Sequence, residues 1–177
     1  MIMPMPEFVP GSPVPHYFDI VTLSNFALCD RFDLLVDRYG PVLFLTKQVR
    51  VELAQGRSAG YAKLARIEDE VAKGCVSVAA TMTPAEILLF RELILVVGSG
   101  EAACIAMARQ RGGVVVTDDR LARRTCTAHG VLVSGTIGIL KALCIGNQLA
   151  PDAADSLLAA MVAQGFHSPV RRISDLL

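Results

Sequence analysis

Residues 114–125 read VVVTDDRLARRT: three valines and a threonine run straight into two adjacent acids and then into arginines at 120, 123 and 124. The valine run has the β-branched, uninterrupted apolar character of a strand buried on both faces. RLARRT then carries helical spacing, with Arg120, Arg123 and Arg124 on one face. The stretch is therefore a strand-to-helix junction with Asp118 and Asp119 at the turn. Two neighbouring carboxylates repel unless a cation, a helix N-terminus or water relieves them.

The same alternation extends in both directions. SGEAACIAMARQRGG (99–113) predicts a helix begun at a Ser99 cap, and TPAEILLFRELILVVG (83–98) a helix with Thr83 as cap and Pro84 in its first turn. Upstream, HYFDIVTL (16–23) reads as a buried strand, SNFALCDRFDLLVDRYG (24–40) as a helix stopped by Gly40, and PVLFLT (41–46) as a second strand. Thr46 is placed to cap KQVRVELAQG (47–56), YAKLARIEDEVAKG (61–74) is helical, and CVSVAAT (75–81) is β-like. Downstream come a strand VLVS (131–134) and the helices GTIGILKALCIG (135–146) and PDAADSLLAAMVAQG (151–165). Strands separated by helices require parallel pairing with right-handed crossovers, so the fold class is α/β: three layers, α/β/α, around a central parallel sheet. Residues 16–177 form one domain behind a proline-rich leader, 1–15, which holds five prolines and no basic residue.

Composition narrows the function classes. Hydrophobic residues make up 53% of the 177 and mean hydropathy is +0.47, ample for a filled core. Seventeen basic and seventeen acidic residues leave no net charge, so any polyanion must be bound by a local patch. Apolar runs such as LILVVG are broken well short of the ~20 residues of a membrane span. Five widely spaced cysteines without a C-x-x-C pair read as reduced, buried thiols of a cytoplasmic protein, and the three histidines fall in no ligand-like spacing.

Ligand sites of open parallel sheets lie beyond the carboxyl ends of the strands, which directs attention to Asp19, Thr46 with the helix after it, and Asp118/Asp119; Glu52 on that helix and Glu101 at a helix start stand out by placement as well. Carboxylates gathered at one sheet edge repel, and hard divalent cations with oxygen ligands, Mg²⁺ or Mn²⁺, relieve them. Such a cluster serves phosphodiester hydrolysis, in which the cations activate water, hold the scissile phosphate and stabilise the leaving oxygen. Each acid also has a structural alternative. Glu101 is a favourable first-turn charge, Glu52 a solvated face residue, and Asp119 an N-cap. Asp19, among Tyr17, Phe18, Ile20 and Val21, is the costliest to bury unpaired.

FDIVTLSNFALCDRFDLL, VRVELAQG, GSGEAACIAMARQRGGVVVTDDRLARR and LVSGTIGILKAL, in that order, resemble the PIN-domain ribonucleases, near the VapC-type toxins of toxin–antitoxin pairs. The resemblance covers the chain from about residue 16 to its end. It implies a central parallel sheet, Mg²⁺ or Mn²⁺ in an acidic pocket, cleavage of RNA, a homodimer and, for toxins, a small antitoxin that blocks the site. Carried over by position, the catalytic acids are Asp19, Glu52, Glu101 and Asp119. Asp19, Glu101, Asp118 and Asp119 are the implied metal ligands, Asp118 being able to share or replace the last role. The family's small polar pair after the first aspartate is replaced by Ile20 and Val21, leaving Thr22 or Ser24 to supply a hydroxyl. Ala103 stands where this branch often has a second acid.

Arg120, Arg123 and Arg124, with Ser24, are the expected substrate contacts, holding phosphates that flank the reacting one; the alternative for the arginines is a solvated face. Lys47, Arg50 and Arg57 form a possible second basic edge. With no tryptophan, stacking of bases has little support in the sequence. The expected activity is that of a Mg/Mn-dependent endoribonuclease; the rival is a PIN-fold RNA-binding or protein-interaction module weakened by Ile20 and Val21. A phosphoacceptor or nucleotide-binding domain fits less well, because no glycine-rich loop follows the first strand.

Overall fold

A computed structural model describes residues 13–177. Residues 1–12, most of the expected leader, lie outside the described residues. Pro15, its last residue, already belongs to the domain: its carbonyl accepts the Val114 amide at 2.9 Å.

Five short strands, β1 (His16–Phe18), β2 (Leu43–Leu45), β3 (Ser77–Val78), β4 (Val114–Val116) and β5 (Leu132–Ser134), pair in the order β3-β2-β1-β4-β5. Every pairing is parallel, and Phe18 stands opposite Val116 across the central pair. The helices are α1 (Ile20–Leu28), α2 (Asp33–Tyr39), α3 (Lys47–Ser58), α4 (Ala65–Ala72), α5 (Pro84–Leu93), α6 (Ser99–Arg111), α7 (Arg120–Ala128), α8 (Thr136–Ile145) and α9 (Pro151–Ala163). They flank the sheet in the expected three-layer α/β/α arrangement. None is long and apolar enough to cross a membrane.

The order of strands reverses between β1 and β4. Chains leaving such neighbours diverge, and the crevice opened there is where open α/β sheets place their ligands. Phe18, Leu43, Leu45 and Val115 are fully buried in the core, and α6 is buried at Gly100 and from Ala102 through Ala108.

Several local expectations are corrected. The first strand ends at Phe18 rather than Leu23: Asp19 caps α1, its Oδ1 accepting the Thr22 amide at 2.7 Å. Thr22, Leu23, Phe26 and Ala27 are the buried residues of α1, a helical stripe that a strand reading of FDIVTL conceals. The helix expected over 24–40 is two helices, parted at Asp30, whose φ of +56° no continuing helix accepts. The cap of α6 is Gly98, not Ser99, which is already helical. Thr83 caps α5 as expected and forms a capping box with Glu86. All five cysteines are unpaired; Cys104, Cys126 and Cys144 are buried, whereas Cys29 and Cys75 are only half-buried.

Candidate active site

Asp19 leaves the carboxyl end of β1 and Thr117 and Asp118 that of β4, so the central strand pair delivers them side by side. The Thr117 hydroxyl donates to Asp19 Oδ2 at 2.5 Å, and the Asp19 amide continues the ladder to Val116 O at 3.0 Å. Asp19 is buried, and burial pushes its carboxyl up to about 7; bonds from Thr117 and Thr22 oppose this, while the nearby charge of Asp118 adds to it. Thr22 joins the two acids, giving its amide to Asp19 and its hydroxyl to Asp118 Oδ2 at 3.4 Å.

Asp118 is fixed from the α8 side. Its Oδ1 accepts the Thr136 amide at 2.9 Å, and its Oδ2 accepts the Thr136 hydroxyl at 2.5 Å and Asn25 Nδ2 at 3.4 Å. Asn25 also donates to Thr136 Oγ1 at 3.0 Å, closing a small network. Gly135 is required here, because a Cβ on it would come within 2.5 Å of Asp118 Oδ1 and 2.9 Å of Thr117 O.

Glu52 and Glu101 meet at the N-terminus of α6. Glu52 reaches from α3, and its Oε1 accepts the Gly100 amide at 2.9 Å. Burial raises its carboxyl above the usual range, an effect the Gly100 bond opposes and the Glu101 charge reinforces. A Cβ on Gly100 would overlap the Glu52 carboxylate, and one on Gly98 the Glu101 carboxylate. Glycines at 98, 100 and 135 thus make room for three of the acids. Cys104 lies between the two acidic pairs: burial first, then the charges of Asp19, Glu101 and Glu52, drive its thiol well above its ordinary value.

The structure therefore gathers Asp19 and Asp118 on one side and Glu52 and Glu101 on the other. Asp119 is placed differently. Its Oδ1 caps α7 by accepting the Ala122 amide at 2.7 Å, so its carboxylate serves the helix while Asp118 faces Asp19. Ser24, expected to touch substrate, gives its hydroxyl to Ile20 O at 2.7 Å, a bond internal to α1. Of the three arginines, Arg123 is a tie between strand ends, donating from Nη1 to Thr117 O at 2.9 Å and Ser134 O at 2.8 Å. Arg120 and Arg124 are exposed. On the second basic edge Arg50 is paired with Glu68 at 2.9 Å, whereas Lys47 and Arg57 are exposed. Asn25, Thr117 and Thr136 were missed as site residues. Their only signal is position: Asn25 one turn beyond Thr22 on the same face of α1, Thr117 and Thr136 at the carboxyl ends of strands.

Among the described residues no three acidic, histidine or cysteine side chains stand close enough to form a ready-made metal site. The carboxylates of Asp19, Asp118 and Glu52 are instead met by hydroxyls and amides of the chain. The donor set nevertheless fits a hard divalent cation: it is all oxygen, and Asp118 opposes ionisation of Asp19 as Glu101 opposes that of Glu52, a repulsion that such a cation relieves.

Residues 18–177 match the sequence profile of the family described as DUF3368, PIN domain. No match was found among curated proteins or among solved structures. A family match over nearly the whole chain, on a five-stranded parallel sheet that brings acids together where the strand order reverses, assigns the chain to the PIN-domain family, a nuclease-type fold whose members typically use divalent metals.

Proposed function

We propose that the protein is a metal-dependent endoribonuclease that hydrolyses RNA phosphodiester bonds, with Asp19, Asp118, Glu52 and Glu101 as its acids. The observation that carries this reading is the delivery of Asp19 and Asp118 from adjacent strand ends, joined through Thr22 and Thr117, beside the Glu52–Glu101 pair at α6. Asp118 takes the role expected of Asp119, whose carboxylate is occupied in capping.

These residues would hold Mg²⁺ or Mn²⁺, which when bound supplies Lewis-acid activation of water and neutralises charge on the phosphate. The chain supplies the rest. Thr136 and Asn25 fix the orientation of Asp118, Thr117 and Thr22 that of Asp19, and the Gly100 amide that of Glu52. Arg120, exposed at the start of α7, holds a phosphate next to the reacting one.

The order of the motifs, near that of the VapC branch, supports the toxin of a toxin–antitoxin pair, inhibited by a small antitoxin, and five cysteines without a C-x-x-C pair support a place in the cytoplasm. A homodimer fits the same reading, and the run of exposed Leu88, Ile94, Leu95 and Val96 on and after α5 supports a second copy as its cover. Ile20 and Val21, which bring no hydrogen-bonding group beside Asp19, support the rival reading of a non-cleaving RNA-binding or protein-interaction module. Incubation of single-stranded RNA with Mn²⁺ and either the wild type or Asp118→Asn separates the two. The nuclease cleaves, and the variant is slower by about 100-fold. RNA left intact by the wild type at every Mn²⁺ concentration means the module.

A further inference from the structure

A second feature adjoins the acids. A cavity of about 530 Å³ opens beside Asp118, walled by Arg120 of α7, Val133 of β5, Ile137 of α8, and Phe166 and His167 from the segment after α9. Its volume is within the range of about 300–1,000 Å³ typical of small-ligand pockets. Its chemistry is divided. Its charged lining is Asp118 and the exposed Arg120, beside the first turn of α8, whose Thr136 amide is already given to Asp118 at 2.9 Å. The rest of its wall includes Ile137, Phe166 and the exposed imidazole of His167.

The wall after α9 is built, not loose. The Phe166 amide donates to Met161 O at 3.0 Å, and the Ser168 hydroxyl donates to Val170 O at 2.6 Å. Beyond it, Asp155 of α9 accepts the amides of Ile173 at 2.5 Å and Ser174 at 3.0 Å and the Ser174 hydroxyl at 2.6 Å, which anchors the C-terminal segment. A wall ordered before binding loses little entropy when a ligand arrives.

We propose that this cavity is a nucleoside subsite for single-stranded RNA, taking the nucleotide that flanks the scissile phosphate, with Arg120 on its phosphate and the His167 ring against its base. This rests on the reading of the acids as an RNA-cleaving centre, since Asp118 is shared by both. It also supplies the stacking surface that the sequence lacks in tryptophan: a histidine from the far end of the chain lines the same cavity as Asp118. Recognition of an unstacked base on a histidine or aromatic face, with an arginine on the phosphate, is the usual manner of binding single-stranded RNA.

The test uses four 5′-phosphorylated RNA tetranucleotides, one for each base, with the full chain. Affinity is measured in EDTA, histidine ring signals are followed by NMR, and cleavage is then assayed in Mn²⁺. The expected result is movement of the one ring signal that His167→Ala lacks, binding weakened about fivefold or more in His167→Ala and Arg120→Ala, and no change in His129→Ala. In Mn²⁺, His167→Ala raises KM with little effect on kcat and alters the preference among the four bases. An unmoved His167 signal and unchanged affinity, with RNA still cleaved, overturn the subsite and leave the nuclease standing. Binding through His167 without cleavage by the wild type supports the subsite and overturns the nuclease. Neither binding nor cleavage overturns both.

Discussion

Asp19 carries a conflict: it is buried, burial pushes its carboxyl from about 3.8 up to about 7, and it is held by two threonines. Between those values the folded chain binds one proton more than the unfolded chain, so stability falls as pH rises and the full cost, up to about 4 kcal/mol, stands above pH 7. Asp19→Asn removes that ionisation. Thermal unfolding in EDTA at pH 5 and pH 8 is expected to show the wild type losing stability at the higher pH and the variant losing much less; parallel losses in both would sink the account of Asp19. Gly100→Ala tests the opposite pair. Its methyl overlaps the Glu52 carboxylate, so Glu52 must leave the Gly100 amide. Activity in Mn²⁺ should fall about tenfold or more, while unfolding by urea shifts by only about 1 kcal/mol. The importance of Asp19 was legible from its apolar neighbours alone. That Asp118, not Asp119, faces it was not, because adjacent aspartates at a strand-to-helix turn are equivalent in sequence and only the backbone turn sends one carboxylate to the α7 cap and the other to Thr136.

The elements are positioned by local signals of unequal clarity. Thr46 and Thr83 announce α3 and α5 in the sequence and cap them in the structure, by bonds of 3.2 and 3.3 Å to the Val49 and Glu86 amides. The strand-to-helix change at Asp19 was hidden, because Ile20, Val21 and Leu23 suit either element and the capping bond, not propensity, settles it. The β3–α5–α6 corner depends on a pairing no local pattern reveals. Buried Glu86 accepts Arg111 Nε at 2.6 Å and Nη2 at 2.8 Å, and Arg111 also reaches Ala80 O and Thr81 O. Burial alone would raise the Glu86 carboxyl, but Arg111 and the Thr83 amide outweigh it and hold it below its ordinary value. Arg111→Ala therefore strands a buried charge, and we expect a loss of about 3 kcal/mol in urea unfolding, with the double variant Arg111→Ala/Glu86→Gln recovering part of it. A loss under about 0.5 kcal/mol would show that the pair does not secure this corner.

Across the whole molecule, the alternation of apolar runs and capped helices was enough to foresee a three-layer parallel fold, because crossover connections admit few arrangements of such a pattern. The strand order was not legible, since β1 is central only through its pairing with β4, nearly one hundred residues away. Nor were the network partners Asn25 and Thr136, which reach Asp118 from different helices. The same long-range placement underlies the proposal that Asp19, Asp118, Glu52 and Glu101 would hold a divalent cation. Loading must displace the proton of Asp19, so affinity should fall roughly tenfold per pH unit below about 7. Calorimetric titration of Mn²⁺ into the wild type, Asp118→Asn and Asp119→Asn at pH 6 and pH 8 puts this to the test, asparagine being able to replace aspartate as the α7 cap. The expected result is binding that strengthens with pH, is lost in Asp118→Asn and survives in Asp119→Asn. Binding indifferent to pH, or lost with Asp119 and kept without Asp118, would contradict it.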